Sequence, residues 1–121
     1  MRKAALKTVR LWRRMRLDIG DVVREPADYV FLANVCHGVP DKSRLARAVH
    51  DVLRPGGSFA IVNWHAKPRE QTTILEEPRG PATELRMTPE QTIASVEPSG
   101  LTFGADRGFA YHFAAVFERA R

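Results

Sequence analysis

Two apolar runs separated by one helix-length segment set the strongest limit on how this chain folds. Tyr29-Val30-Phe31-Leu32-Ala33 follows Pro26 closely, has no polar interruption beyond the tyrosine hydroxyl, and closes at Asn34. Ser58-Phe59-Ala60-Ile61-Val62-Asn63-Trp64 is the second run. Runs this short, aromatic and β-branched, and apolar at successive positions, suit strands buried between helix layers in a parallel sheet. Between them, Asp41 is placed to cap a helix from Lys42 to Leu53, with Leu45, Val49 and Val52/Leu53 on its inner face. Pro55-Gly56-Gly57 is the expected stop. Strand, helix, tight turn and strand make a right-handed βαβ unit, so the expected class is α/β.

Residues 66–87 hold three prolines and many polar side chains, and are expected as a long irregular excursion. Thr88-Pro89-Glu90-Gln91 then reads as a helix start, with Thr88 as N-cap, Pro89 in the first turn and Gln91 at the capping-box position. That helix is expected to reach about Val96 and to end near Pro98-Ser99-Gly100. Leu101-Thr102-Phe103 and Phe109 to Phe117 read as two more strands, linked through Asp106, Arg107 and Gly108. A hairpin there places antiparallel strands at one edge of the sheet.

The N-terminal segment differs in kind. Residues 1–16 carry seven basic side chains and no acid, so the net charge of +5 belongs to them and the remainder of the 121 residues carries −2. Ala5, Val9, Trp12 and Met15 recur at helical spacing beside the arginines. Residues 1–17 are therefore expected as a basic helical leader docked through that stripe, and 18–121 as the domain proper. A nucleic-acid contact through the leader is the less favoured reading, because the body is nearly neutral. No apolar run approaches the roughly 18 residues of a membrane span. One cysteine, Cys36, excludes an internal disulfide and fits a cytoplasmic protein. Four histidines and that cysteine show no metal-ligand spacing, so no metal is expected.

In order, the pieces ADYVFLANVCHGVPD, SRLARAVHDVLRPGG and SFAIVNW resemble the central stretch of class I S-adenosylmethionine-dependent methyltransferases of the small-molecule, type 11-like group. Upstream, Ile19-Gly20-Asp21-Val22 resembles the family's Gly-Asp step; downstream, Thr88 to Leu101 and Phe109 to Glu118 resemble its late helix and closing strand. The resemblance covers about residues 18–118 and implies a partial Rossmann-like sheet. Its strands are mostly parallel with an antiparallel C-terminal strand, and helices lie on its faces. The family's Gly-x-Gly turn and ribose-binding acid have no counterpart before Asp28, since a βαβ unit alone takes about 30 residues. The chain is thus expected to hold the later half of such a domain.

The resemblance also implies a site. Asp21 and Val22 would lie at the adenine of S-adenosylmethionine, and Ala33, Asn34 and Val35 near its sulfonium, at the carboxyl end of the first strand where open α/β sheets bind ligands. His37 in the same loop is either a base on the acceptor or a shaper of the pocket. Cys36 reads as a small buried apolar residue. Trp64 and His65 are expected to leave the second strand on one side of the sheet, lining the acceptor or packing. His50 reads as surface and His112 as remote from the site. The function implied is methyl transfer to a small molecule; the alternative is a non-catalytic half-domain for oligomerisation or partner docking. A half-sheet exposes an apolar edge and face, so a homo-oligomer, a dimer in the simplest case, is expected.

Overall fold

The computed structural model describes residues 25–34 and 38–121. The expected leader helix, and Asp21, Val22, Val35, Cys36 and His37, lie outside the described residues.

The βαβ unit forms from the segments that predicted it. Strand β1 spans Ala27–Ala33, helix α1 Lys42–Val52 and strand β2 Leu53–Trp64, with β1 and β2 parallel. Asp41 caps α1, its carboxylate accepting from the Arg44 N–H at 3.0 Å, and Leu45, Ala46, Val49 and Val52 are buried. At the other end, the Arg119 guanidinium donates to the carbonyls of His50 and Leu53, covering acceptors that the last turn leaves open.

The expected stop at Pro55-Gly56-Gly57 is corrected: the helix ends at Val52 and these residues already belong to β2. Gly57 is needed there for closeness. A Cβ on it would stand 2.9 Å from the Arg54 carbonyl oxygen and 3.2 Å from that of Asp28. The register slips between Ala27 and Tyr29 where this irregular entry is absorbed.

After β2, residues 66–87 are more ordered than a loop. Short 3-10 turns at Arg69–Gln71 and Thr83–Leu85 flank a minimal hairpin of β3 (Thr73–Ile74) and β4 (Glu77–Pro78). Helix α2, Pro89–Val96, carries the expected capping box: Thr88 Oγ1 accepts from the Gln91 N–H, and Gln91 Oε1 from the Thr88 N–H. The last strands are β5, Thr102–Gly108, and β6, His112–Glu118. Asp106, Arg107 and Gly108 thus belong to β5, and the connection is Phe109–Tyr111, a second correction.

Among the described residues the main sheet has the order β1-β2-β6-β5. β6 is antiparallel to both neighbours, so β1, β2 and β5 share one direction and β6 alone opposes them. The hairpin does not sit wholly at the edge: β6 is interior, wedged between β2 and β5.

The two faces of this sheet are unlike. Phe59 and Ile61 of β2 and Phe113, Ala115 and Phe117 of β6 are buried in one core with α1 and α2 residues, and Val30 and Leu32 pack against it. The alternate residues face the other way. There Tyr29 and Phe31 of β1 are 56% and 57% exposed. The expectation that β1 is buried on both faces is therefore corrected, because α1 and α2 both pack on the same side of it.

Candidate functional site

In open α/β sheets the ligand crevice lies at the carboxyl ends of the parallel strands. In this sheet that end comprises Ala33 and Asn34 after β1, Asn63 and Trp64 finishing β2, and His112 opening the antiparallel β6.

Asn34 adopts φ 59°, a left-handed conformation uncommon outside glycine, while its N–H still donates to the Val62 carbonyl at 2.7 Å. The chain is held to β2 up to this residue, where the strand ends. Ala33 is half-buried and Asn34 exposed.

Beside Asn34, Asn63 was not singled out by sequence reasoning. It is 3% exposed, and its Oδ1 has no hydrogen-bond partner among the described residues. Burying a carboxamide oxygen unpaired costs about 1–3 kcal/mol. Its signal was available: one amide interrupting the apolar run before Trp64.

Trp64 anchors the excursion. Arg86 lies over its ring at 5.3 Å from the centroid, and Gly80 abuts it so closely that a Cβ would sit 2.8 Å from the indole. Arg86 is 7% exposed and donates to the carbonyls of Pro81 and Arg79, with Nη1 left unpartnered among the described residues. Burial, then the nearby Arg69 charge, lowers the affinity of this guanidinium for its proton, with Glu70 opposing. The Thr72 hydroxyl, also buried, lies 3.0 Å from both the Arg69 and Arg79 carbonyl oxygens. An open cleft of about 380 Å³ runs past Lys42, Glu84, Leu85, Arg86, Met87 and Gln91, between the N-termini of α1 and α2.

Two expectations about the histidines are corrected. His112 is not remote: it pairs with Trp64 across the sheet, the rings 4.2 Å apart. Burial, with smaller contributions from His65 and Arg86, pushes its pKa below the ordinary histidine value. Trp64 and His65 do not share a side either. Trp64 lies with His112 and Tyr111, whereas His65 lies against Phe113, whose side chain points to the opposite face, and holds the Phe109 carbonyl through Nε2 at 2.9 Å. Successive strand residues alternate faces, and β2 keeps that alternation to its end. His50 stays at the surface, its Nδ1 3.1 Å from Asp51 Oδ1. Among the described residues no three His, Cys, Asp or Glu side chains gather as a metal site, and no helix is long and apolar enough to cross a membrane.

A sheet in which one antiparallel strand is wedged beside the last parallel pair, with its crevice at Asn34 and Asn63, can be compared with known proteins. Residues 4–61 match the methyltransferase domain family, a span that takes in most of the basic segment as well as β1, α1 and most of β2. The sheet resembles that of a putative type 11 methyltransferase from Sulfolobus solfataricus at 23% identity and a TM-score of 0.61, over 78% of this chain and 51% of that one.

The chain shares part of the Rossmann-like fold of these methyltransferases.

An S-adenosylmethionine-dependent methyltransferase from Aquifex aeolicus matches this methyltransferase fold at 19% identity and a TM-score of 0.64, over 78% of this chain and 48% of its own. The [4+2]-cyclase SpnF matches at 10% identity and a TM-score of 0.62, over 79% and 50%. The chain thus spans about half the length of these proteins. No curated protein matches it. A cyclase among methyltransferases shows that one fold carries more than one reaction.

Proposed function

We propose that this chain supplies the sulfonium and acceptor side of a site for S-adenosylmethionine-dependent methyl transfer to a small molecule in the cytoplasm. The observation that carries the reading is the carboxyl end of β1 and β2, where Asn34 closes β1 at φ 59° and the Oδ1 of Asn63 is buried without a partner among the described residues. The unpaired oxygen of Asn63 costs free energy in the folded chain, a cost that a ligand would offset. The residues fit that part of the cofactor. The sequence offers no Gly-x-Gly turn before Asp28 for the methionine end, so the fit stops there.

The cofactor supplies an electrophilic methyl group; the chain supplies position. Direct displacement needs the acceptor atom aligned with the methyl more than it needs an acid or base, and alignment alone is worth several kcal/mol. In this reading Asp21 and Val22 hold the adenine, and Ala33, Asn34 and Val35 flank the sulfonium. His37 and Trp64 face the acceptor, with His112 now beside Trp64. His65 holds the β5–β6 turn rather than a ligand.

The exposed apolar side chains of Tyr29 and Phe31 favour a second reading, a non-catalytic half-domain for oligomerisation or partner docking. Calorimetric titration with S-adenosylmethionine separates the two. Binding tighter than about 100 μM, near −5.5 kcal/mol, weakened at least tenfold by Asp21→Ala, supports the site. No heat at millimolar ligand supports the scaffold.

A further inference from the structure

Among the described residues Arg86 is the one buried charged side chain, and no carboxylate stands within ion-pair distance of it. Its fork is only partly used. Nε donates to the Pro81 carbonyl at 3.1 Å and Nη2 to that of Arg79 at 2.9 Å, while Nη1 has no partner among the described residues. Buried charges are ordinarily paired, because an uncompensated one costs far more than an unpaired neutral group. The Trp64 ring offsets part of that cost. Burial first, and the Arg69 charge second, still pull the guanidinium's pKa down against Glu70. This unbalanced cation lines the cleft of about 380 Å³ together with Lys42, Glu84, Leu85, Met87 and Gln91.

We propose that the cleft at Arg86 takes the carboxylate of the methyl acceptor, which makes the acceptor a small organic acid. Its assignment to the acceptor rests on the methyl-transfer reading above; the anion site stands without it. A guanidinium is the cation whose planar donors match a carboxylate. The other donors agree. Lys42 Nζ gives one bond, to the Val39 carbonyl at 3.0 Å, and an ammonium has two more to give. Gln91 Oε1 is taken by the Thr88 N–H, so its amide nitrogen is the end left to donate. Lys42 opens α1 and Gln91 lies in the first turn of α2, and helix N-termini favour an anion. Against these stands one acid, the exposed Glu84. Leu85 and Met87 add apolar wall for the body of the molecule. Small-molecule sites span roughly 300–1,000 Å³, so this cleft suits a compact ligand. Arg86 lies over Trp64, the last residue of β2, so an acid anchored there sits next to the crevice.

The test titrates 4-hydroxybenzoate, and 4-hydroxybenzamide as its neutral counterpart, into the full chain by calorimetry without S-adenosylmethionine. The acid should bind at least about tenfold more tightly than the amide, and Arg86→Gln should abolish the preference. Equal binding of the two, or no heat from either at millimolar ligand, would overturn the proposal. Arg86 also ties down the excursion, so Glu84→Gln gives a second reading with those bonds intact. It should tighten the acid roughly two- to fivefold and leave the amide unchanged; an unaltered or weaker acid would count against the site. Inorganic phosphate competing more strongly than acetate would replace the carboxylate with a phosphate group. With S-adenosylmethionine added, acid and cofactor should bind together, and mutual exclusion would remove the acid from the acceptor's place. Because the first titrations contain no cofactor, failure of the anion site and failure of the cofactor site are read separately.

Discussion

The two faces of one four-stranded sheet are built from the same three central segments and end in different states. On one face Phe59, Ile61, Phe113, Ala115 and Phe117 are closed under α1 and α2, with Phe117 fully buried between Phe59 and Phe103. On the other, Tyr29 and Phe31 stand in water. Both faces are apolar in sequence, so hydrophobicity does not distinguish them. The difference lies in the connections: α1 and α2 both return on the same side, so among the described residues only that side receives a helix layer. Apolar patterning therefore predicts that a strand wants cover, whereas topology decides whether this stretch of chain provides it.

The sharpest way to break this contrast is to remove a ring from each face. Phe117→Ala should cost about 3–5 kcal/mol in urea unfolding, the usual range for emptying a buried aromatic site. Phe31→Ala, at a site 57% exposed, should cost about 1–2 kcal/mol. Equal losses would mean that Phe31 is covered in solution to the same degree as Phe117.

A second prediction concerns the core face where it meets the crevice. Asn63→Leu replaces an unpaired buried oxygen with a group of similar size, so the free chain should become more stable by about 1–3 kcal/mol. The same change should weaken S-adenosylmethionine binding if the amide is kept for a ligand. A destabilised variant would show that Asn63 already satisfies the fold.

Thr88→Ala is smaller. It removes the hydroxyl that accepts from the Gln91 N–H, leaves the residue-88 N–H donating to Gln91 Oε1, and should cost about 1 kcal/mol. Amide-exchange protection should fall in α2 and leave β1 unchanged, since α2 covers only the core face.

How far these features were legible in the sequence depended on how local their causes are. Asp41 and Thr88 announce their helices because a cap is decided within four residues, and both caps form as expected. The parallel β1–β2 pair was legible because a buried strand, a helix and a glycine turn constrain one another. Pro55-Gly56-Gly57 misled because a helix stop and an irregular strand entry use the same residues; the backbone of Asp28, distant in sequence, chose between them. His112 was misplaced for a related reason. Its nearness to Trp64 follows from β6 running antiparallel beside β2, which puts the start of the last strand at the crevice. Asn34 was legible as the end of a strand, but its left-handed turn was not. The wedge of Arg86 and Gly80 on Trp64 depends on side chains more than ten residues away, and no local pattern signals it.

His112 supplies the weakest expected effect and tests the open face by pH. Its ring packs on Trp64, and the charged groups near it are His65 and Arg86. Burial chiefly, then those two neighbours, lowers its pKa, so the folded chain holds this proton less tightly than the unfolded chain does. Below the unfolded value of about 6.5 protonation therefore favours unfolding, and the histidine's contribution to stability, intact above that pH, is lost as acid is added. The urea midpoint should fall between pH 7.5 and pH 5.5 more in the wild-type chain than in His112→Gln. Parallel titrations would mean that the ring sits in water at the crevice. A steeper fall in the variant would reverse the sign of the coupling and detach His112 from Trp64. His112 lies at the Trp64 end of the sheet, away from Phe117, so the loss should appear first in exchange at the Trp64–His112 end and last around Phe117.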